Sequence, residues 1–109
     1  MSVDQRRNFY RIEYHNPSDC PQAKISGKSF EVRDLSEKAV RIHTGSTSGF
    51  TKGLTVSGAM HFTDGESFLV SGEVLSVRGS DVVIQFKKGF PLRKIMEEQR
   101  RLIQKTKGS

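Results

Sequence analysis

The chain is predicted to be all-β, a six-stranded antiparallel β-barrel followed by one C-terminal α-helix. Three observations predict it. Short runs between positions 30 and 86 alternate apolar with polar residues, as half-buried strands do. Gly27-Lys28, Asp64-Gly65 and Gly79-Ser80 punctuate those runs as turns. After Pro91 the apolar spacing changes from that of a strand to that of a helix.

Taken in order, residues 1–9 are polar and expected to be flexible until something orders them. From Tyr10 to Ile25 a first strand is interrupted by Pro17 and Pro21, which suits a sheet edge. Phe30, Val32 and Leu35 stand among Glu31, Arg33 and Asp34 on a strand with one buried face. Val40 and Ile42 flank Arg41 in the same way, and Gly45 to Gly53 reads as an exposed loop. Leu54, Val56, Met60 and Phe62 carry the next strand, with Gly58 as its expected bulge. Asp64-Gly65 predicts a tight hairpin with both central residues at positive φ. Phe68, Val70 and Val74 return, and Val82, Ile84 and Phe86 close the barrel.

Pro91 suits a first helical turn, where its missing N–H costs nothing. Leu92, Ile95, Met96, Leu102 and Ile103 then share one face, interrupted by Gln99. Arg93, Lys94, Glu97, Arg100, Arg101 and Lys105 are assigned to the opposite, solvated face. The apolar stripe is expected to pack over a barrel opening or to serve a homodimer. The chain is thus read as one domain, 1–109, with an N-terminal segment 1–9, a barrel 10–86 and a helix 91–106.

Length and charge narrow the function. A chain of 109 residues, 34% hydrophobic and 28% charged, supports one modest core. No apolar run is long enough to span a bilayer, and Met1 to Arg6 lacks the apolar stretch of a secretory signal. The lone Cys20 suits a reducing compartment, so the protein is expected in the cytoplasm. Net charge is +6, with eight basic residues against Glu97 and Glu98 between Lys87 and Lys107. Such a run is often only a solvated face, but it also suits a polyanionic ligand. His15, His43 and His61 are scattered without metal-ligand spacing, so no metal site is expected. No nucleophile–base pair points to catalysis, and no enzyme activity or cofactor is assigned.

Two motifs carry the binding chemistry. Arg6-Arg7-Asn8-Phe9-Tyr10-Arg11 sets Arg7 and Arg11 four residues apart, with Arg6 as a spare cation. Arginine forks onto phosphate oxygens or onto guanine O6 and N7. Asp34-Leu35-Ser36-Glu37-Lys38-Ala39 ends a strand with a carboxylate and a hydroxyl, and a carboxylate accepts from guanine N–H groups. Taken singly, the arginines also suit a solvated tail, and Asp34 and Ser36 an ordinary strand-ending turn.

In this order, RxxxR followed by DxSxx resembles the PilZ domain, a bacterial receptor for cyclic di-GMP, whose pattern ends in glycine. The resemblance runs through Val40-Arg41-Ile42, Gly72-Glu73-Val74 and Val83-Ile84-Gln85-Phe86 into the helix. It implies that Arg7 and Arg11 hold guanine and phosphate from the N-terminal segment, and that Asp34 and Ser36 hold guanine from the barrel. It also implies a conformational change passed to a downstream protein partner in motility, adhesion or exopolysaccharide synthesis. The family's glycine falls on Ala39. If glycine serves there for positive φ, alanine strains the turn; if for close approach of a base, its methyl only loosens the fit. Weakened rather than abolished binding is expected. Two other readings compete, a protein-interaction adaptor with weak or no nucleotide binding and a basic barrel binding nucleic acid. The nucleic-acid reading is disfavoured, because exposed aromatics do not recur along a strand face as a base-stacking platform.

Overall fold

The computed structural model describes residues 11–45, 49–88 and 91–108, with side chains of the final helix described to 103. Among the described residues seven strands precede one helix: β1 (Arg11–Glu13), β2 (Gln22–Ile25), β3 (Lys28–Ser36), β4 (Ala39–His43), β5 (Thr55–His61), β6 (Ser67–Arg78), β7 (Asp81–Lys88) and α1 (Leu92–Gly108). Every pairing is antiparallel. The order β3-β2-β5-β6-β7-β4, closed by β4 returning to β3, makes the predicted six-stranded barrel.

β1 is the extra strand. It pairs with the far end of β3, Ile12 opposite Leu35, while β2 pairs with the near end, Ala23 opposite Phe30. The interrupted first strand is therefore two short strands laid along one neighbour, with Pro17 and Pro21 between them. Its β1 half is the sheet edge, bonded to β3 alone, whereas β2 is bonded on both sides. Pro21 is tolerated because it precedes β2, and its carbonyl still accepts from Val32 N–H at 3.1 Å.

The core is the inward half of each strand. Ile12, Val32, Leu35, Ile42, Met60, Val74, Val82 and Ile84 are buried, and Ile95 from α1 joins them. Closure has no edge to protect and lets alternating sequences bury one face all round. Of the described residues in the Gly45–Gly53 loop, Gly45, Gly49, Thr51, Lys52 and Gly53 are exposed as expected, and Phe50 is half-buried, packing edge-on to Phe30 with ring centroids 5.7 Å apart.

Two turn assignments and one bulge assignment shift. Between β2 and β3 the turn is Ser26-Gly27, with φ of 54° and 80°, the two positive values of a type I′ hairpin. At Asp64-Gly65 only Gly65 has positive φ, and Gly65 N–H donates to Phe62 O. That is a longer hairpin loop, which leaves Asp64 and Glu66 projecting rather than confined to a two-residue turn. Gly58 is not a bulge, for β5 stays in register with both neighbours. A Cβ there would collide with the Lys24 carbonyl, so close strand approach explains the glycine.

A bulge does fall in β3, and further register shifts lie in the β6–β7 pairing at Ser71/Gly72 and Val74/Ser76. Val32 pairs with Ile42 and Asp34 with Arg41, so Arg33 is an inserted residue. Two consecutive inward residues are then Val32 and Leu35, three apart instead of two. The insertion turns Asp34 out of the barrel interior onto the wall beside Arg41.

α1 seats differently from its apolar stripe. Ile95 is buried and Leu102 half-buried, but Leu92, Met96 and Ile103 are exposed. Lys94, assigned by spacing to the solvated face, is 0% exposed, and Glu98 is 1% exposed. Charge pairing overrides the stripe. Lys94 Nζ reaches Glu66 at 2.8 Å and Asp64 beside it, and lies 4.6 Å from the Phe62 ring centre. Glu98 accepts from Tyr14 OH at 2.7 Å and is forked by Arg101 at 2.9 and 3.1 Å, while Arg101 also donates to Asp19 O at 3.2 Å. The helix therefore ties together the β5–β6 turn and the β1–β2 connection.

Candidate functional site

Outside the barrel, β3, β4 and β7 present a wall of charge. Asp34 projects from β3, Arg41 and His43 from β4, and Asp81 from β7; Arg41 is the register partner of Asp34, and His43 of Asp81. Arg41 Nε donates to Asp34 Oδ2 at 2.6 Å, and its Nη1 donates to Asp81 Oδ2 at 3.0 Å. Asp81 Oδ1 lies 3.1 Å from His43 Nδ1. From the start of β1, Arg11 Nη2 donates to the same Asp34 Oδ2 at 3.1 Å.

Asp34 is thus loaded on one side only. Both arginines end on Oδ2, while Oδ1 is buried and has no hydrogen-bond partner among the described residues. A buried carboxylate oxygen without a donor costs free energy that a fold normally avoids, and its natural remedy is an incoming N–H or a water. Beside it opens a concavity of about 230 Å³ lined by Arg11, Asp34, Ser36, Ala39, Arg41 and Val83.

Ser36 closes the turn from β3 to β4. Its Oγ accepts from Ala39 N–H at 3.0 Å and Lys38 N–H at 3.2 Å, and donates to Ala39 O at 3.3 Å. The local turn chemistry expected of serine is therefore present at the rim of the concavity. Ala39 does not have positive φ, since Ser26 is the one such non-glycine among the described residues. Alanine thus carries no backbone strain here, and of the two reasons for glycine only close approach remains.

The site gathers Arg11, Asp34, Ser36 and Ala39 as the motifs paired them. Arg6 and Arg7 lie outside the described residues. Arg41, Asp81 and His43 were missed as site residues. The alternation Val40-Arg41-Ile42 placed Arg41 on the outer face, but nothing local in the sequence ties it to Asp81 forty residues on. His43, set aside as scattered, joins the same chain of contacts.

A second acidic group, Asp64, Glu66 and Glu97, converges within 4.8 Å. Lys94 Nζ already sits among these carboxylates as their counter-ion. Hydrogen bonds from Lys94 hold the Asp64 and Glu66 carboxyls below their ordinary values. Burial pulls Lys94 down, but its bonds to Asp64 and Glu66 leave it raised overall. Under α1, burial and then the bond to Glu98 push the Tyr14 phenol far up, so it stays protonated as a donor. Burial likewise raises the Cys20 thiol and keeps it un-ionised.

The wall thus sets an open carboxylate oxygen beside two arginines on a small closed barrel. The sequence matches the PilZ domain family over residues 5–105, and the chain belongs to that family. PilZ domains form a family of cyclic di-GMP receptors. Among solved structures, an uncharacterised Legionella protein is similar with a TM-score of 0.60 at 16% identity, over 90% of this chain and 98% of that one. The PilZ domain of CeSA from a cellulose-synthesising bacterium aligns with a TM-score of 0.49 at 13% identity, over 86% of this chain and 95% of that one. No curated protein sequence matches. Among the described residues no helix is long and apolar enough to cross a membrane.

Proposed function

We propose that the protein is a cytoplasmic cyclic di-GMP receptor in which Asp34 holds a guanine edge and Arg11, with Arg7 and Arg6, holds phosphate and base. The observation that carries this reading is the buried, unpartnered Oδ1 of Asp34 beside two arginines. Guanine offers adjacent N–H donors on one edge, the complement of an open carboxylate oxygen. The dianionic backbone of a cyclic dinucleotide suits guanidinium forks. The concavity of about 230 Å³ is smaller than a drug-sized pocket, so it takes one base and leaves the rest of the ligand to the N-terminal segment.

Ser36 acts here by shaping the turn at the rim, and the Ala39 methyl narrows it. Ordering the N-terminal segment across the wall is the change passed to a downstream partner controlling motility, adhesion or exopolysaccharide synthesis. Isothermal calorimetry with cyclic di-GMP tests the reading. Saturable binding that weakens by roughly 10- to 100-fold in Asp34→Ala supports it. The absence of heat at tens of micromolar protein, beside a receptor that binds in the same buffer, overturns it.

A further inference from the structure

We infer that Arg41 and Asp81 form a positioning pair that holds Asp34 with one oxygen satisfied and the other presented, and so sets the site's preference for a base edge rich in N–H donors. The inference rests on the receptor reading above and assigns roles to two residues outside both sequence motifs.

The geometry has three parts. Arg41 uses separate nitrogens for its two acceptors, Nε for Asp34 and Nη1 for Asp81, so its guanidinium plane is fixed by a carboxylate at each end. Both acceptors come from neighbouring strands of a closed barrel, β3 and β7, which cannot slide past β4 without breaking its pairing. Arg41 is therefore held by the fold rather than by ligand. The third part is the result at Asp34, where the 2.6 Å bond pins Oδ2 and Oδ1 is left buried without a donor.

An arginine that served only as positive charge would not need a second carboxylate behind it. Asp81 takes part of that charge away from the pocket while fixing the direction of the guanidinium. His43 Nδ1, 3.1 Å from the remaining Asp81 oxygen, steadies Asp81 in turn. A lysine at position 41 would keep the charge but could not span the two carboxylates with fixed planar geometry.

The test uses wild type, Arg41→Lys and Asp81→Asn, titrated with cyclic di-GMP and with its inosine counterpart, which lacks the exocyclic amino group. Wild type is expected to prefer the guanine ligand by about tenfold, the scale of one hydrogen bond to a charged acceptor. In both variants cyclic di-GMP should weaken by about tenfold while the inosine ligand changes less, so the preference collapses toward one. An unchanged preference in Arg41→Lys shows that charge alone suffices and overturns the inference.

A second readout needs no ligand. The Arg41 Nε–H resonance of the empty protein should exchange slowly with water in wild type and fast in Asp81→Asn. Exchange in wild type as fast as that of exposed Arg100 overturns the positioning pair. Wild type that binds neither nucleotide overturns the receptor reading, and with it the inferred preference, while the resonance still decides whether Arg41 is held.

Discussion

The charged cluster under α1 and the charged cluster on the barrel wall use the same residue types and end in opposite states. Under the helix every described acceptor is met: Glu98 is shared by Tyr14 and Arg101, and Lys94 reaches Asp64 and Glu66. On the wall, Asp34 is as buried as a core residue at 5% exposure, yet one of its oxygens has no donor. A saturated network holds an element in place, whereas one left a donor short is stabilised further by whatever supplies that donor. The difference separates residues that seat the helix from those that the proposed function assigns to the ligand.

The largest expected effect breaks the saturated side. Glu98→Ala leaves the Tyr14 hydroxyl and the Arg101 guanidinium without their shared acceptor under the helix. Loss of one member of such a buried network should cost about 3 kcal/mol. For a domain of this size that lowers the melting temperature by roughly 10 °C or more, read by thermal denaturation. Lys94→Met is the control. Asp64 and Glu66 are substantially exposed and can turn to water, and Met fills the space, so its cost should stay under about 1 kcal/mol. A large loss in Lys94→Met with a small one in Glu98→Ala would reverse the assignment of which pairing seats the helix.

The wall should behave the other way. Asp34→Ala removes the common acceptor of Arg11 and Arg41, whose side chains are 63% and 40% exposed and can be solvated. Its stability cost should be under about 1 kcal/mol, the range of surface pairs. Its affinity for cyclic di-GMP should fall by roughly 10- to 100-fold, the worth of one or two charge-assisted bonds. Unfolding and calorimetry on this one variant separate the two clusters. A variant that loses stability but keeps affinity would make Asp34 a structural residue.

What the sequence revealed follows the same division. The barrel was legible because closure asks only for alternation and turns, which are local signals. Asp34 and Arg11 were legible because each lies within a short motif. The β3 bulge left a trace that went unused, since Val32 and Leu35 cannot share a face in an unbroken strand. Lys94 was misplaced because helical spacing ranks positions by apolarity, whereas its partners Asp64 and Glu66 come from a turn thirty residues away. Arg41 was hidden for the same reason, its second partner Asp81 being brought alongside only by β4–β7 pairing.

Acid sharpens the contrast with a smaller effect. The Asp64 and Glu66 carboxyls lie below their ordinary values of 3.8 and 4.5 because Lys94 bonds their ionised forms. Their contribution is therefore present above those ordinary values and is lost as pH falls through the lower folded values. Lys94 is raised above 10.5, so its share persists below that pH and fades only as pH climbs past the raised value. Amide exchange in α1 should accelerate on acidification below about pH 4, selectively relative to β5 and β6. In Lys94→Met this acid-selective component should shrink. Equal acceleration across barrel and helix in both proteins would mean that Lys94 does not anchor α1.

The smallest expected effect lies at Ala39, on the rim of the concavity. Since φ at Ala39 is not positive, Ala39→Gly relieves no backbone strain. It loosens the first residue of β4, at a cost of roughly 0.5–1 kcal/mol in stability. What it offers in return is space, because the methyl stands at the rim beside the Ser36 turn and the Asp34 carboxylate. If a base edge reaches Asp34 Oδ1 past that rim, removing the methyl should tighten cyclic di-GMP by a factor of about three to ten. The gain should vanish in the Asp34→Ala background, for without the carboxylate the base has nothing to approach. An unchanged affinity in Ala39→Gly would place the ligand's path away from this rim, and the open oxygen of Asp34 would then have to be met from the Arg11 side.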